Sequence, residues 1–484
     1  VRKVGHKAER WHRSDMSRRS FVRELKHIAG SLGVLERPED RYCYGSDATG
    51  LHRSPDVVVR PETAEQAAAV IRLSHREGMA VTPRGAGTGY SGGAVPACGG
   101  LLLAMERMNR IESLSRADGI AVVEAGVVNG DLQAAARLEG LFYPPDPASL
   151  EFSTLGGNIA ECAGGPRALK YGVTRDYVAG LEFITADGCV VRCGALAEGY
   201  ECLYDLSGLL SASEGTLGVI TRSALRLIAR PSAERTILLT FAARAAAAEA
   251  VVALSSAGVL PSVVELIDES SLKAVRSAGL TDLPFEQEHV LLIEVDGEPD
   301  EVDEMAARAE RAGRRAGRTR SWVASDEDER EQIWAMRRAI SPALAKLAPT
   351  KVNEDVCVPR GRMADIVETI ESLSREHGLL VPIFGHAGDG NLHVNFMVDR
   401  QNRRDMEKVE QAVEGLLKAT LDVGGTLSGE HGIGLTKAPF LEWELGPEGL
   451  NTMRNVKAAL DPSGTMNPGK IPGEGTETCL STKR

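Results

Sequence analysis

Three histidines and a glutamate stand in glycine-rich turns late in the chain. The first turn is Gly385-His386-Ala387-Gly388-Asp389-Gly390-Asn391-Leu392-His393-Val394-Asn395, and the second is Gly429-Glu430-His431-Gly432. Imidazole and carboxylate are the ligands that a zinc-like divalent ion prefers. Flanking glycines let the backbone approach whatever is bound. His386, His393 and Glu430 are therefore candidate metal ligands. If the strands around the Ala-Gly-Asp-Gly-Asn turn pair, the two imidazoles meet across a hairpin, and Asp389 serves the turn. Asn395 lies two residues beyond His393, on the same strand face, and is a candidate substrate contact. His431 is the candidate general base, because imidazole titrates near neutral pH. Adjacent residues of an extended chain point opposite ways, so Glu430 and His431 need a bent loop to converge. Such a site could polarise an alcohol, or serve a metal hydrolase.

A second pattern lies near the start. Gly87-x-Gly89-x-x-Gly92 matches the dinucleotide fingerprint in spacing alone. That fingerprint must open a helix. Here Gly93, Pro96, Gly99 and Gly100 follow and forbid one. The loop reads instead as a nest of backbone N–H groups aimed at a pyrophosphate. Two further glycine segments follow, at 154–165 and 213–220.

The elements that must position these groups are legible from periodicity and caps. A helix is predicted over 63–77, with Thr63 as N-cap and Gly78 as stop. Strands are predicted at 79–83, 101–105, 120–125 and 216–228, with a helix at 131–139. Val178–Thr185 and Cys189–Cys193 flank Ala186-Asp187-Gly188 as a hairpin. From Arg235 the texture changes to strand-helix-strand units, predicting an antiparallel sheet with helices on one face. The expected organisation is an N-terminal extension and helix (1–39), a first domain (40–230), a second domain (231–424) and a tail (425–484) that packs back on the first.

The chain has 484 residues, 43% hydrophobic and 26% charged, with net charge −12. This balance suits a soluble, cytoplasmic, multidomain protein and gives no electrostatic footprint for nucleic acid. No apolar run reaches the roughly 18 residues of a spanning helix, although peripheral contact with the inner membrane face stays compatible. The eight cysteines include no C-x-x-C pair, so no iron–sulfur run is expected. Reduced, mostly buried thiols are the expectation, with no bridge between Cys189 and Cys193. Met16-Ser17-Arg18-Arg19 reads as a natural start preceded by an upstream extension.

Taken in order, R-G-A-G-T-G (84–89), P-P-D-P (144–147), T-L-G-G-N-I-A (154–160), K-Y-G-V-T-R-D (170–176), S-E-G-T-L-G-V-I (213–220), G-H-A-G-D-G-N-L-H (385–393), S-G-E-H-G-I-G (428–434) and N-P-G-K (467–470) carry a resemblance. The chain resembles the FAD-dependent D-2-hydroxy-acid dehydrogenases of the vanillyl-alcohol oxidase / p-cresol methylhydroxylase superfamily, over roughly 40–475. The resemblance implies an α+β fold: a two-subdomain FAD-binding domain, a ferredoxin-like cap on an antiparallel sheet, and a C-terminal segment returning to the flavin domain.

It also implies residue roles. Arg84, Gly85, Ala86, Gly87, Thr88 and Gly89 would cradle the pyrophosphate. Pro145, Gly156, Gly157, Asn158 and Gly165 would line the flavin side. Glu214, Gly215, Gly218, Val219 and Ile220 would hold the adenosine and ribose end. Relatives that bind flavin covalently use a histidine in the glycine segments; none stands there here, so FAD is expected to be non-covalent. His386, His393 and Glu430 would bind zinc, or manganese or iron. Arg337 would grip the substrate carboxylate as a bidentate fork.

The implied reaction is oxidation of D-lactate or glycolate to the 2-oxo acid, with hydride passing from C2 to flavin N5. D-2-hydroxyglutarate is the alternative substrate; a relative's lysine before its D-x-x-x-P segment is Asn353 here, which favours a monocarboxylate. A flavin-carrying subunit of a larger glycolate or lactate oxidase complex is a further alternative. The electron acceptor would be an iron–sulfur subunit, a quinone or an electron-transfer flavoprotein, and the enzyme would be a homo-oligomer.

Overall fold

The computed structural model describes residues 15–196, 204–280 and 288–471; the proposed upstream extension falls outside them, apart from the first turn of the helix Asp15–Ala29. Two sheets build the first half. A four-stranded sheet orders Val34–Leu35, Val57–Val59, Leu101–Ala104 and Val81–Arg84. A five-stranded antiparallel sheet orders Ile111–Ser115, Ile120–Glu124, Val219–Arg226, Val178–Ile184 and Val190–Gly194. The helix Ala64–Arg76 starts where the cap predicts, with Gln66 N donating to Thr63 Oγ1 at 3.3 Å.

The second half is one seven-stranded antiparallel sheet. Its order is Ser321–Val323, Ala233–Phe241, His289–Gly297, Val263–Ile267, Ile383–His386, Asn391–Val398, Thr350–Cys357. Both faces are covered, not one as expected. Helices Arg244–Ser256, Pro299–Arg315, Met363–His377 and Arg403–Asp422 pack on one face. Glu269–Ser277 and Glu327–Ala343 pack on the other. Strand parity divides the side chains. Val356, Leu392, Val394 and Ile383 enter the first core. Asp355, His393 and His386 therefore project from the opposite face, toward the flavin-loop half.

The C-terminal segment returns as expected. Val81 bridges to Met466, Asn467 Nδ2 donates to Gly93 O and Glu214 O, and Lys470 Nζ donates to Val95 O at 2.6 Å. Between them stands an unexpected helix, Leu441–Leu460, kinked at Gly446. Cys189 and Cys193 are unbridged, but Cys43 and Cys189 are exposed and Cys98 is disulfide-bonded, against the expectation of reduced, mostly buried thiols. No helix among the described residues is long and apolar enough to cross a membrane.

Candidate active site

The Ser428–His431 loop is bent by one buried carboxylate. Asp355 Oδ2 accepts from the amides of Gly429 (2.8 Å), Glu430 (2.7 Å) and His431 (3.0 Å). Lys437 pairs with Asp355 Oδ1. Burial pushes the Asp355 carboxyl up, but the neighbouring His431 and Lys437 charges and these amides hold it well below the usual carboxylate range. The loop also needs glycine: a Cβ at Gly429 would lie 2.5 Å from Asn391 Nδ2.

This bend brings the three candidate ligands together. His386 Nε2 lies 3.1 Å and His393 Nε2 3.4 Å from Glu430 Oε1, and the ligand atoms all fall within 4.8 Å of one another. His386 Nδ1 is engaged by Glu265, leaving Nε2 for the cluster. Such a carboxylate–histidine pair is the support a metal-bound imidazole ordinarily has. Burial lowers the His386 imidazole, while Glu265 and Glu430 outweigh it and hold it well above its ordinary value. Burial and the His386 charge push His393 well below its own. Two imidazoles and a carboxylate converge on one point, and a divalent cation fits that donor set.

His431 stands beside this trio. Its ring stacks on His393, with centroids 5.1 Å apart and planes at 13°. Its Nδ1 is 3.4 Å from Asp355 Oδ1, which leaves Nε2 as the free proton acceptor. Burial lowers its pKa despite the neighbouring Asp355.

Glu430 and His431 form one end of a cavity of about 750 Å³. The cavity runs along Arg84 to Gly89, past Gly156, Gly157 and Asn158, to Gly215 and Gly218 to Ile220. Among the described residues, the amides of Gly85, Ala86, Gly87 and Thr88 donate to no backbone acceptor. Thr154 Oγ1, Asn158 Nδ2 and Ser213 Oγ are buried without partners on the same walls. A nest of free N–H groups and unpaired polar atoms along an elongated cavity suits a dinucleotide.

Several expected site residues are placed differently. Pro145 and Gly165 do not line the cavity. Pro145 O is taken by Asn129 and Gln133 side chains, and Gly165 abuts Asp146 closely enough to exclude a Cβ. Glu214 lines the cavity, but its Oε1 accepts from Ile433 (2.8 Å) and Gly434 (3.0 Å) beside the His431 loop, not at a ribose end. Arg337 is buried against Glu265 with its guanidinium 4.9 Å over Phe384. It therefore braces the Glu265–His386 pair and does not reach the cavity wall, which Arg338 and Ser341 form. Asn395 spends its amide on His393 O, Pro382 O and Asn353.

Four residues escaped the sequence reading: Asp355, Glu265, Lys351 and Tyr90. Lys351, Asn353 and Asp355 alternate with Val352, Glu354 and Val356, so their common parity was the available signal. Lys351 Nζ donates to Ser341 Oγ at 2.7 Å and lies 3.4 Å from Tyr90 OH. Nothing local marks Glu265, which is 121 residues from His386.

Comparison with known proteins identifies the family. Residues 55–194 match the family described as FAD binding domain, and residues 230–471 match FAD linked oxidases, C-terminal domain. The chain is 37% identical to the glycolate oxidase subunit GlcD of Bacillus subtilis, covering 93% of this chain and 96% of that one. It is 33% identical to a D-lactate dehydrogenase of Anaerostipes hadrus, covering 93% and 97%. Among solved structures, p-cresol methylhydroxylase superposes with a TM-score of 0.78 at 16% identity, covering 95% of this chain and 98% of that one. That likeness shows a shared fold.

Proposed function

The chain belongs to the FAD-linked oxidases, an enzyme family, and from that premise we propose that it oxidises a small D-2-hydroxy acid, D-lactate or glycolate, to the 2-oxo acid with help from a divalent metal. The observation that carries this reading is the His386–His393–Glu430 trio lying behind His431 at one end of the flavin cavity. FAD held along residues 84–89 would supply a two-electron acceptor for the C2 hydrogen, and a divalent ion held by His386, His393 and Glu430 would polarise the substrate hydroxyl.

The chain's own residues do the rest. His431 Nε2 takes the hydroxyl proton while Asp355 steadies Nδ1 and the imidazolium that forms. Glu265 fixes the His386 ring and is itself held by Arg337. Lys351, beside Ser341, supplies the cation for the substrate carboxylate, the role first given to Arg337.

The relatives named as oxidase subunits favour a separate electron acceptor for this chain too: an iron–sulfur subunit, a quinone or an electron-transfer flavoprotein. Anaerobic mixing with a panel of D- and L-2-hydroxy acids tests the proposal. Bleaching of the flavin by D-lactate or glycolate supports it, and a flavin that stays oxidised with every member refutes it.

A further inference from the structure

Tyr90 belongs to the glycine loop of the flavin half, yet its ring sits in the substrate end of the cavity. It stacks on His431 with centroids 4.9 Å apart and planes at 28°. The Lys351 ammonium lies 5.1 Å from the ring centre and donates to the Tyr90 hydroxyl at 3.4 Å. The order in space is Lys351, Tyr90, His431, His393, so one phenol ring links three separate segments of the chain. Gly89 on one side, and Gly92 with φ of 84° on the other, let the loop carry a large ring into this place.

The position has a consequence for substrate shape, resting on the reading above. A 2-hydroxy acid has four groups on C2. The hydroxyl goes toward the metal trio and His431, the carboxylate toward Lys351, and the hydrogen toward the flavin. Tyr90 spans the two ends that hold the hydroxyl and the carboxylate, so it runs alongside the C1–C2 bond. The fourth group must leave past the Tyr90 ring, with Ser341 and Pro342 as the other nearby walls. An aromatic ring stacked on an imidazole and tied through its hydroxyl to an ammonium has little room to swing aside.

We propose that Tyr90 is a specificity-determining residue that restricts the C2 substituent to hydrogen or methyl. Glycolate and lactate then fit, and hydroxy acids with longer side chains clash with the ring. The bulk of the ring, not its hydroxyl, makes the selection.

The test uses metal-loaded holoprotein and two readouts. Calorimetry gives the affinities of pyruvate and 4-methyl-2-oxopentanoate, product-type acids that bind without turnover. Anaerobic flavin-reduction rates give kcat/KM for D-lactate and D-2-hydroxyisocaproate. Tyr90→Ala should raise the long-to-short ratio at least about tenfold in both readouts, the size expected when a pocket gains room for methylene groups. Tyr90→Phe should leave the ratio within about twofold of wild type. Tyr90→Leu, checked by its flavin absorbance, stands in if the alanine variant loses FAD. An unchanged ratio in Tyr90→Ala or Tyr90→Leu, or a wild type that takes both lengths equally, overturns the proposal while leaving the hydroxy-acid reading intact. A wild type whose flavin no 2-hydroxy acid reduces removes that reading and this inference with it.

Discussion

Asp355 holds His431 twice: one carboxylate oxygen accepts the His431 backbone amide at 3.0 Å, and the other stands 3.4 Å from the ring Nδ1. The same side chain thus shapes the loop that carries the proposed base and sets which ring nitrogen faces the cavity.

Asp355→Asn keeps an oxygen for the loop amides and removes the charge behind the imidazole. Flavin reduction should slow by about 10²-fold or more, with bound FAD and metal unchanged by absorbance and elemental analysis. A rate within about twofold of wild type would show that His431 acts without this support.

Arg337 is assigned to the metal trio and not to the substrate. Arg337→Met leaves Glu265 buried with one partner fewer, which weakens its grip on His386. Metal affinity, measured by competition with a chelator, should fall roughly 10–100-fold. KM, measured at saturating metal, should shift far less. A large KM increase with intact metal binding would restore Arg337 as the carboxylate anchor.

Glu354 shares a strand with Asp355 but projects to the opposite face, where its Oε2 is buried without a hydrogen bond, 4.0 Å from Lys437 Nζ. Burial, with Asp355 adjacent, raises its pKa from 4.5 to about 7 in spite of Lys437. A folded pKa above the unfolded one makes the folded state keep the proton longer. The stability that Glu354 contributes is therefore lost as pH rises from 4.5 to about 7 and is level above that. Glu354→Gln cannot titrate, so its stability advantage over wild type should grow between pH 5 and 8, by about 1–3 kcal/mol. Denaturant melts at both pH values measure it; a pH-independent difference would contradict the assignment.

The sequence disclosed the parts of this site that are local. His386, His393, Glu430 and His431 stand out by residue type among glycines, and the loop at 84–89 by its failure to open a helix. What it hid was set by packing. Gly156-Gly157 reads as a helix breaker, yet Leu155–Glu161 is helical. A Cβ at Gly156 would lie 2.6 Å from the Ala125 Cβ, so glycine lets that helix press against the Ala125 backbone. Gly446-Pro447 masked the C-terminal helix because Gly446, at φ 68°, interrupts it and a second helical run follows. Arg337 was assigned to the substrate by resemblance, since its partner Glu265 lies 72 residues away. Asn395 looked available because strand parity gives a side chain's face but not its hydrogen bonds.

Neither glycine segment contains a histidine, so the flavin should be held without a covalent bond. Acid precipitation of the holoprotein should leave a yellow supernatant. Flavin retained in the pellet would require an attachment residue elsewhere in the chain.

The central claim is that the metal trio and the flavin cavity act on one substrate. It is tested by stopped-flow mixing of holoenzyme with D-lactate and with glycolate under anaerobic conditions, before and after metal removal by a chelator, with metal added back. The account predicts rapid bleaching by at least one of the two, loss of bleaching with FAD still bound after chelation, and recovery on adding zinc or manganese. Bleaching at an unchanged rate in metal-free protein would contradict it.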